Sequence, residues 1–469
     1  IIKVLIILEK RNIMQKALVI GNRISGIGAK ELLEKKGYTV YMIDDKMGIS
    51  SKDGIEILDN ENIEFIVKSP GIAWTSELLV KAKEKNIKII SEIDLAYNYM
   101  DESTKIISFT GTNGKTTTAT KMDELLSFTG RRTKLAGNAG FSFAKLISDE
   151  VSLDYVVLEL SSYQLENNPK VHSYISGIIN LTPDHLTRYS SLDDYYTTKF
   201  NIFENQTTDD FALINLDDKE FERLYETQKL KNKIKSKKIY LSKEKRGTIF
   251  VHDESIYIMK NLFEKIENHS YKDLEEISEK LISVKDLSLK GKHNLENMLF
   301  LIGAGKILNI SNEKLVEFLK STKALEHRLE NFFIKDKTTF INDSKGTNVE
   351  STIKAIDSFE NKIVLILGGD DKKVPNDDLV KVIKEKVDFV YLIGENAPLL
   401  EKDMEKLNYK NYKNLENLEK VLNYLKENED FNEDKTILFS PATSSFCQFK
   451  NFEHRGNVFK ELTVKIFED

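Results

Sequence analysis

Short runs of apolar residues alternate with stretches of helical period along the whole chain. Lys16–Ile20 (KALVI), Thr39–Ile43 (TVYMI), Glu64–Pro70 (EFIVKSP) and Ile87–Ile90 (IKII) make a first group. Lys105–Thr110 (KIISFT), Tyr155–Leu160 (YVVLEL) and Ile175–Leu181 (ISGIINL) make a second. The pattern restarts in the last third with Phe340–Ser344 (FINDS), Lys362–Asp370 (KIVLILGGD), Phe389–Gly394 (FVYLIG) and Thr436–Ala442 (TILFSPA), each followed by a loop and a helical stretch. Strand-then-helix alternation predicts parallel sheets covered by helices, an α/β fold. Polar seams at Asp101–Thr104 and Ser321–Ala324 cut the pattern into three units. At roughly 150 residues per domain, a chain of 469 residues also gives about three.

Charge narrows the function classes. The chain has 69 Lys and Arg against 75 Asp and Glu, a net charge of −6, with 31% charged and 40% hydrophobic residues. That is the balance of an ordinary globular protein and argues against a general nucleic-acid binder. The lysine-rich run Lys229–Arg246 has no Arg cluster and little aromatic interleaving, so it reads as a solvated face. With Cys447 as the single cysteine, no intrachain disulfide can form, which fits a reducing cytoplasm and equally fits many secreted bacterial proteins. The apolar stretch Ile1–Leu8 is far shorter than the ~20 residues that span a bilayer. Its positive charges, Lys10 and Arg11, follow it rather than precede it, so no export and no membrane insertion are expected. Residues 1–13 precede the first strand and are expected to be an extraneous extension.

The strongest local chemistry is Thr110–Thr118 (TGTNGKTTT), between an apolar strand and a helical stretch. Gly111 and Gly114 let backbone N–H groups of Thr112, Asn113 and their neighbours approach phosphate oxygens. The following helix offers its N-terminal dipole, Lys115 a point charge, Thr116 a hydroxyl for Mg²⁺, and Thr117 a further first-turn N–H. Phe109 occupies the place of the first glycine of the strict phosphate-loop pattern, so the loop is a shortened variant.

A second glycine turn, Gly21–Gly26, follows the first strand, and Asp44 ends the next. Arg23 takes the place of the glycine that would meet a pyrophosphate, so the dinucleotide fingerprint fails. The turn is either a plain structural one or a seat for a nucleotide-like ligand on the N–H groups of Ser25, Gly26 and Ile27. Glu159 ends the strand YVVLEL, Asp184 and His185 follow ISGIINL, and Lys199 lies further on. Singly these read as a buried carboxylate, a cap, a satisfied histidine and a surface lysine. With Thr116 they form an oxygen-and-imidazole set suited to two Mg²⁺ ions beside a triphosphate.

Taken together, the motifs resemble the Mur ligases, ATP-dependent amide-bond-forming enzymes of peptidoglycan precursor synthesis, from about Met14 to the C-terminus. The resemblance rests on TGTNGKTT; GNAG (Gly137–Gly140); LELSSYQLE (Leu158–Glu166); Asp184-His185 with Lys199; and KHNLEN (Lys292–Asn297). It extends through EHR (Glu326–Arg328); INDSKGTN (Ile341–Asn348); GGDDKK (Gly368–Lys373); and SPATSSFCQFKNFEHRG (Ser440–Gly456). SSYQL, NDSKGTN and the SPA segment resemble the branch that adds D-glutamate to UDP-N-acetylmuramoyl-L-alanine.

The resemblance implies three α/β domains. A Rossmann-like UDP-substrate domain would span 1–103, a central P-loop ATPase-like domain 104–322, and a Rossmann-like amino-acid domain 323–469. It places Lys115 on the transferring phosphate, Thr116 and Glu159 on one Mg²⁺, and His185 with a carbamylated Lys199 on a second. Asn294, Asn297, Arg328 and Asp343 would surround the adenine and ribose phosphates. Ile24, Ser25, Gly26 and Asp44 would take the uridine diphosphate, and Asn138 with Ser161 the muramoyl part. Lys345, Thr347, Lys372, Ser445 and Phe452 would shape the D-glutamate pocket. It also implies a monomer that acts on small molecules in the cytoplasm.

Four residues depart from the branch's usual pattern. Thr187 stands for Asp in DHxDR, Ala139 for an apolar residue in GNxG, Gly346 for Ala in NDSKxTN, and Cys447 for Asp. None is a metal or phosphate ligand. Rival readings are a folylpolyglutamate or amino-acid polymer ligase of the same superfamily, against which SSYQL and NDSKGTN count, and a P-loop nucleotide switch. The switch leaves the Gly21 turn and the third α/β unit unexplained.

Overall fold

The computed structural model describes residues 15–166, 169–184, 188–263, 274–359, 361–371 and 376–468. Three sheets carry the chain. β1 (Lys16–Ile20), β2 (Thr39–Ile43), β3 (Ile63–Lys68) and β4 (Lys88–Ser91) form a parallel sheet in the order β2-β1-β3-β4.

A nine-stranded sheet follows, ordered β13-β12-β11-β10-β9-β8-β5-β7-β6. Its strands are β5 (Lys105–Thr110), β6 (Thr133–Gly137), β7 (Tyr155–Glu159), β8 (Ile175–Ile178), β9 (Phe211–Asn215), β10 (Lys237–Ser242), β11 (Ile249–His252), β12 (Ser255–Met259) and β13 (Ser278–Ser283). It is parallel from β6 to β11 and antiparallel through β12 and β13.

The third sheet has the order β14-β15-β19-β16-β17-β18. It comprises β14 (Glu330–Lys335), β15 (Thr338–Asn342), β16 (Ile363–Gly369), β17 (Val387–Gly394), β18 (Tyr412–Glu416) and β19 (Lys435–Phe439), with only β14 antiparallel to its neighbour. The α/β expectation holds.

The described residues fall into two compact units, one within Ile1–Asp286 and Glu296–Lys320, the other within Leu287–Leu295 and Ser321–Asp469. The first two sheets share a unit because they share a core. One apolar cluster runs from Val19 and Leu33 through Phe143 to Leu158 and Phe200. The helices Ile24–Lys35 and Phe143–Ser148 meet at Gly28, where an added Cβ would lie 2.1 Å from Ser142 Oγ.

One expectation needs correction and one an addition. The lysines described in the run Lys229–Arg246 are exposed or half-buried, and the run also holds β10, whose Ile239 and Leu241 are buried. ISGIINL leaves the sheet after Ile178, which frees Ile179–Leu181 to wrap the phosphate loop.

Candidate active site

The phosphate loop sits at the carboxyl end of β5, between β7 and β8, the usual place for ligands in a parallel sheet. Gly111 and Gly114 take φ of +153° and +78°, backbone that disfavours a side chain. A Cβ on Gly114 would lie 2.3 Å from Asn297 Oδ1. The loop is held from the segment that follows β8, since Thr112 N donates to Asn180 O and Asn113 N to Asn180 Oδ1, both at 2.9 Å. Thr112 Oγ1 donates to Thr182 O at 2.9 Å. Asn297, 2% exposed on the helix Lys292–Ile307, accepts from Thr118 Oγ1. The helix Lys115–Phe128 begins at Gly114 without a side-chain cap, so the first-turn N–H groups of Lys115, Thr116 and Thr117 are set for an anion.

Two lysines converge on one carbonyl. Lys115 Nζ donates to Gly111 O at 3.0 Å and to Thr112 O at 2.8 Å, and Lys199 Nζ donates to Gly111 O at 2.9 Å. Lys199 is 1% exposed, at the end of the helix Leu192–Lys199, and lies over the Tyr195 ring. Burial, and then the Lys115 charge, hold its ammonium well below the usual lysine range, with Asp184 opposing.

Glu159 ends β7 opposite Phe109 of β5 and is 1% exposed. Its Oε1 accepts from Asn138 Nδ2 at 2.7 Å, while its Oε2 is buried without a hydrogen-bond partner. An orphaned carboxylate oxygen beside a phosphate loop fits a cation. Among the described residues no group of three or more His, Cys, Asp or Glu side chains is spaced for a metal. The set Thr116, Glu159 and Lys199 is of another kind, and His185 lies outside the described residues, as does Thr187.

At the Gly21 turn, φ is +98° and Gly26 packs so closely that a Cβ would meet Gly21 O at 1.7 Å. The helix Ile24–Lys35 carries no side-chain cap, and Ile24 is 72% exposed beside Ser25 and Gly26. Asp44 is spent on the turn itself. It accepts from the backbone N–H of Asn22, Lys46 and Met47, bonds that hold its carboxyl below the usual range. Ser161 likewise caps the short helix Ser162–Leu165. Asn138 and Ser161 thus flank Glu159 from neighbouring strand ends.

Residues that sequence reasoning did not place complete this region. Arg188 forms a two-armed pair with Glu166 and reaches Ile72 O. A small pocket lies between the β3 end and the Ser162–Leu165 helix, lined by Lys68, Trp74, Glu92, Tyr163 and Glu166. Burial lowers the Lys68 ammonium to about 8 and raises the Glu92 carboxyl to about 6. Asn180 had a sequence signal, an amide directly after an apolar strand; Glu92 had none.

In the second unit, Asp343 is 7% exposed and accepts from Ser440 Oγ at 2.7 Å and from Leu329 N at 3.2 Å. Burial outweighs both bonds and pushes its carboxyl up to about 7. Arg328 lies near enough to oppose that rise. Asn294 bonds Lys290 O. Lys345 Nζ stands 3.6 Å from the centre of the Phe452 ring. A pocket opens at the carboxyl ends of the sheet, lined by Thr347, Asn348, Asp370, Asn396 and Thr443. Of the expected amino-acid residues, Thr347 lines it, Lys345, Phe452 and the buried Ser445 do not, and Lys372 lies outside the described residues. Gly346 is tight: a Cβ would stand 2.6 Å from both Asp343 Oδ2 and Ser440 Oγ. Cys447 donates its N–H to Asp370.

Among the described residues, no helix is long and apolar enough to cross a membrane. Residues 109–305 match the family model of the Mur ligase middle domain, and residues 327–443 that of the Mur ligase, glutamate ligase domain. A UDP-N-acetylmuramoylalanine--D-glutamate ligase of Fusobacterium nucleatum is 46% identical, covering 97% of this chain and 100% of its own. One from Koribacter versatilis is 33% identical over 97% and 98%. Among solved structures, MurF from Acinetobacter baumannii superposes with a TM-score of 0.61 at 17% identity, covering 92% of this chain and 91% of its own. MurF ligase from Thermotoga maritima in complex with ADP does so at 0.56 and 15%, covering 98% and 96%. The solved structures share the fold; the 46% and 33% identities to the two D-glutamate ligases, along nearly the full length of both chains, together with the two family models, show that the chain belongs to the Mur ligase family.

Proposed function

We propose that the chain joins D-glutamate to UDP-N-acetylmuramoyl-L-alanine, with ATP split to ADP and phosphate. The observation that carries this reading is the meeting of Lys115 and Lys199 at the Gly111 carbonyl, in a chain that resembles D-glutamate ligases end to end. A carboxylate is a poor acylating agent. Its L-alanyl oxygen attacks the γ-phosphorus of ATP, ADP leaves, and the acyl phosphate so formed has a leaving group. The D-glutamate amine then attacks the carbonyl carbon, gives up a proton, and the tetrahedral intermediate expels phosphate.

The first-turn N–H groups of Lys115, Thr116 and Thr117, with the Lys115 ammonium, hold the polyphosphate and offset the charge that grows on it, while the N–H groups of Thr112 and Asn113 are taken by Asn180 and fix the loop. Lys199, held toward its neutral form, is suited to combine with CO₂ as a carbamate, with loss of one proton. An anionic oxygen then stands where an ammonium would repel a cation. Thr116 and Glu159 would hold one Mg²⁺ and His185 with the Lys199 carbamate a second; the ions would neutralise and orient the phosphate oxygens.

In this reading Asn294, Asn297, Arg328 and Asp343 serve the nucleotide. Ile24, Ser25, Gly26 and Asp44, with Asn138 and Ser161, serve the UDP substrate. Asp44 and Ser161 act by fixing backbone. Lys345, Thr347, Lys372, Ser445 and Phe452 serve D-glutamate, cations facing its carboxylates. The domains would run over 1–103, 104–322 and 323–469, in a cytoplasmic monomer. Phosphate release measured over an amino-acid panel tests the reading. It should need both the muramoyl nucleotide and D-glutamate. Release with nucleotide alone would make the chain a switch, and release with another amino acid a different ligase.

A further inference from the structure

Among the described residues, the largest fully buried side chain is a cation, Arg455, 0% exposed on the helix Phe452–Glu468. A buried guanidinium is costly unless its donors are satisfied, and four hydrogen bonds engage all three of its nitrogens here. Nε donates to Ser344 Oγ at 3.0 Å and Nη2 to Ser344 O at 2.8 Å. Nη2 also donates to Thr443 O at 3.0 Å, and Nη1 to Ser444 O at 2.9 Å. None of these acceptors is a carboxylate. All lie in two loops, the one after β15 and the one after β19. Ser344 Oγ in turn donates to Phe452 O at 2.9 Å, one turn back on the helix that carries Arg455. The β16 end closes the set, because Asp370 N donates to Ser444 O and a Cβ on Gly369 would stand 3.1 Å from Arg455 Nη1.

Those loops carry the residues assigned above to the amino acid. Lys345 and Thr347 follow Ser344 directly, Ser445 follows Ser444, and Phe452 begins the helix. None of them touches Arg455 in the bonds described, and their spacing depends on where the two loops stand. Loops at strand ends are the mobile part of such a fold, so a fixed pocket needs something to tie them. We propose that Arg455 is a positioning residue for the amino-acid pocket, a buried clamp that sets the loop of Lys345 and Thr347 against the loop of Ser445. The inference rests on the functional reading above and adds to it a residue that acts through the pocket rather than in it. Only a planar fork reaches Ser344, Thr443 and Ser444 at once; a lysine ammonium cannot span them.

The test compares Arg455→Lys and Ser344→Ala with the wild type by KM and kcat for each substrate, with melting temperature as the fold control. Arg455→Lys should raise the KM for D-glutamate by about 10- to 100-fold and leave those for ATP and the muramoyl nucleotide within about threefold. Ser344→Ala should raise it about three- to tenfold, and the double variant should resemble Arg455→Lys alone, because both cut one network. A lower melting temperature with an unchanged D-glutamate KM would overturn the proposal and leave Arg455 as a stability residue. Should Arg455→Lys not fold, Ser344→Ala decides by the same criterion. If the wild type prefers another amino acid, the functional reading fails, and the same comparison made with that amino acid still judges the clamp.

Discussion

Asp343→Asn should make the protein more stable above neutral pH while it lowers activity. The Asp343 carboxyl is buried, and its pKa of about 7 stands above the ordinary 3.8. Because the folded value is the higher one, the native state keeps a proton that the unfolded chain has released. Stability is therefore lost as pH rises from 3.8 to about 7, and the loss levels off above that. Between pH 5 and pH 8.5 the proton difference integrates to about 2 to 3 kcal/mol. Asparagine keeps the shape, can donate to Ser440 Oγ and accept from Leu329 N, and has no charge to bury.

Urea unfolding of both proteins at the two pH values gives the comparison, since subtracting the variant removes the other titrating groups. The gap in favour of the variant should widen by that amount at pH 8.5. A gap equal at both values, or a wild type more stable at pH 8.5, would refute the reasoning. With Asp343 placed among the nucleotide residues, kcat/KM for ATP should fall in the same variant by about tenfold or more.

Three further outcomes follow from the site. Lys199→Ala should lose about 100-fold or more in kcat and recover partly with acetate, whose carboxylate would replace the proposed carbamate; full activity, or rescue by a small amine instead, refutes the role. Gly114→Ala forces a side chain onto a φ of +78° and against Asn297 Oδ1, so calorimetry should show ATP bound about tenfold more weakly or worse. Unchanged affinity would refute the loop's role. Lys345→Ala should raise the KM for D-glutamate by roughly 10- to 150-fold with little change for ATP; the reverse pattern would move Lys345 to the nucleotide.

The parallel sheets and the phosphate loop were legible because their signals are local. KIISFT is one continuous apolar run, and the glycines, Lys115 and helix start follow within nine residues. β10 was hidden because Lys237 and Lys238 at its start, and the lysines on either side of it, mask its inward Ile239 and Leu241. β12 and β13 were hidden because they pair antiparallel at the sheet edge, outside the strand-then-helix alternation that announces parallel strands. The roles of Asp44 and Ser161 could not be read because a carboxylate or hydroxyl beside a turn serves a ligand or a backbone equally well. Asn180, Glu92 and Arg455 act across long stretches of chain, and Arg455 bonds Ser344 over a separation of 111 residues. No local pattern carries such a contact.

The central claim, amide formation through an acyl phosphate, is tested most directly by oxygen transfer. UDP-N-acetylmuramoyl-L-alanine labelled with ¹⁸O in its L-alanyl carboxylate is incubated with ATP and D-glutamate, and phosphate and product are weighed by mass spectrometry. Each turnover should place one ¹⁸O in inorganic phosphate and yield one dipeptidyl product bearing D-glutamate. Unlabelled phosphate, or labelled phosphate with no D-glutamate incorporated, would contradict the account.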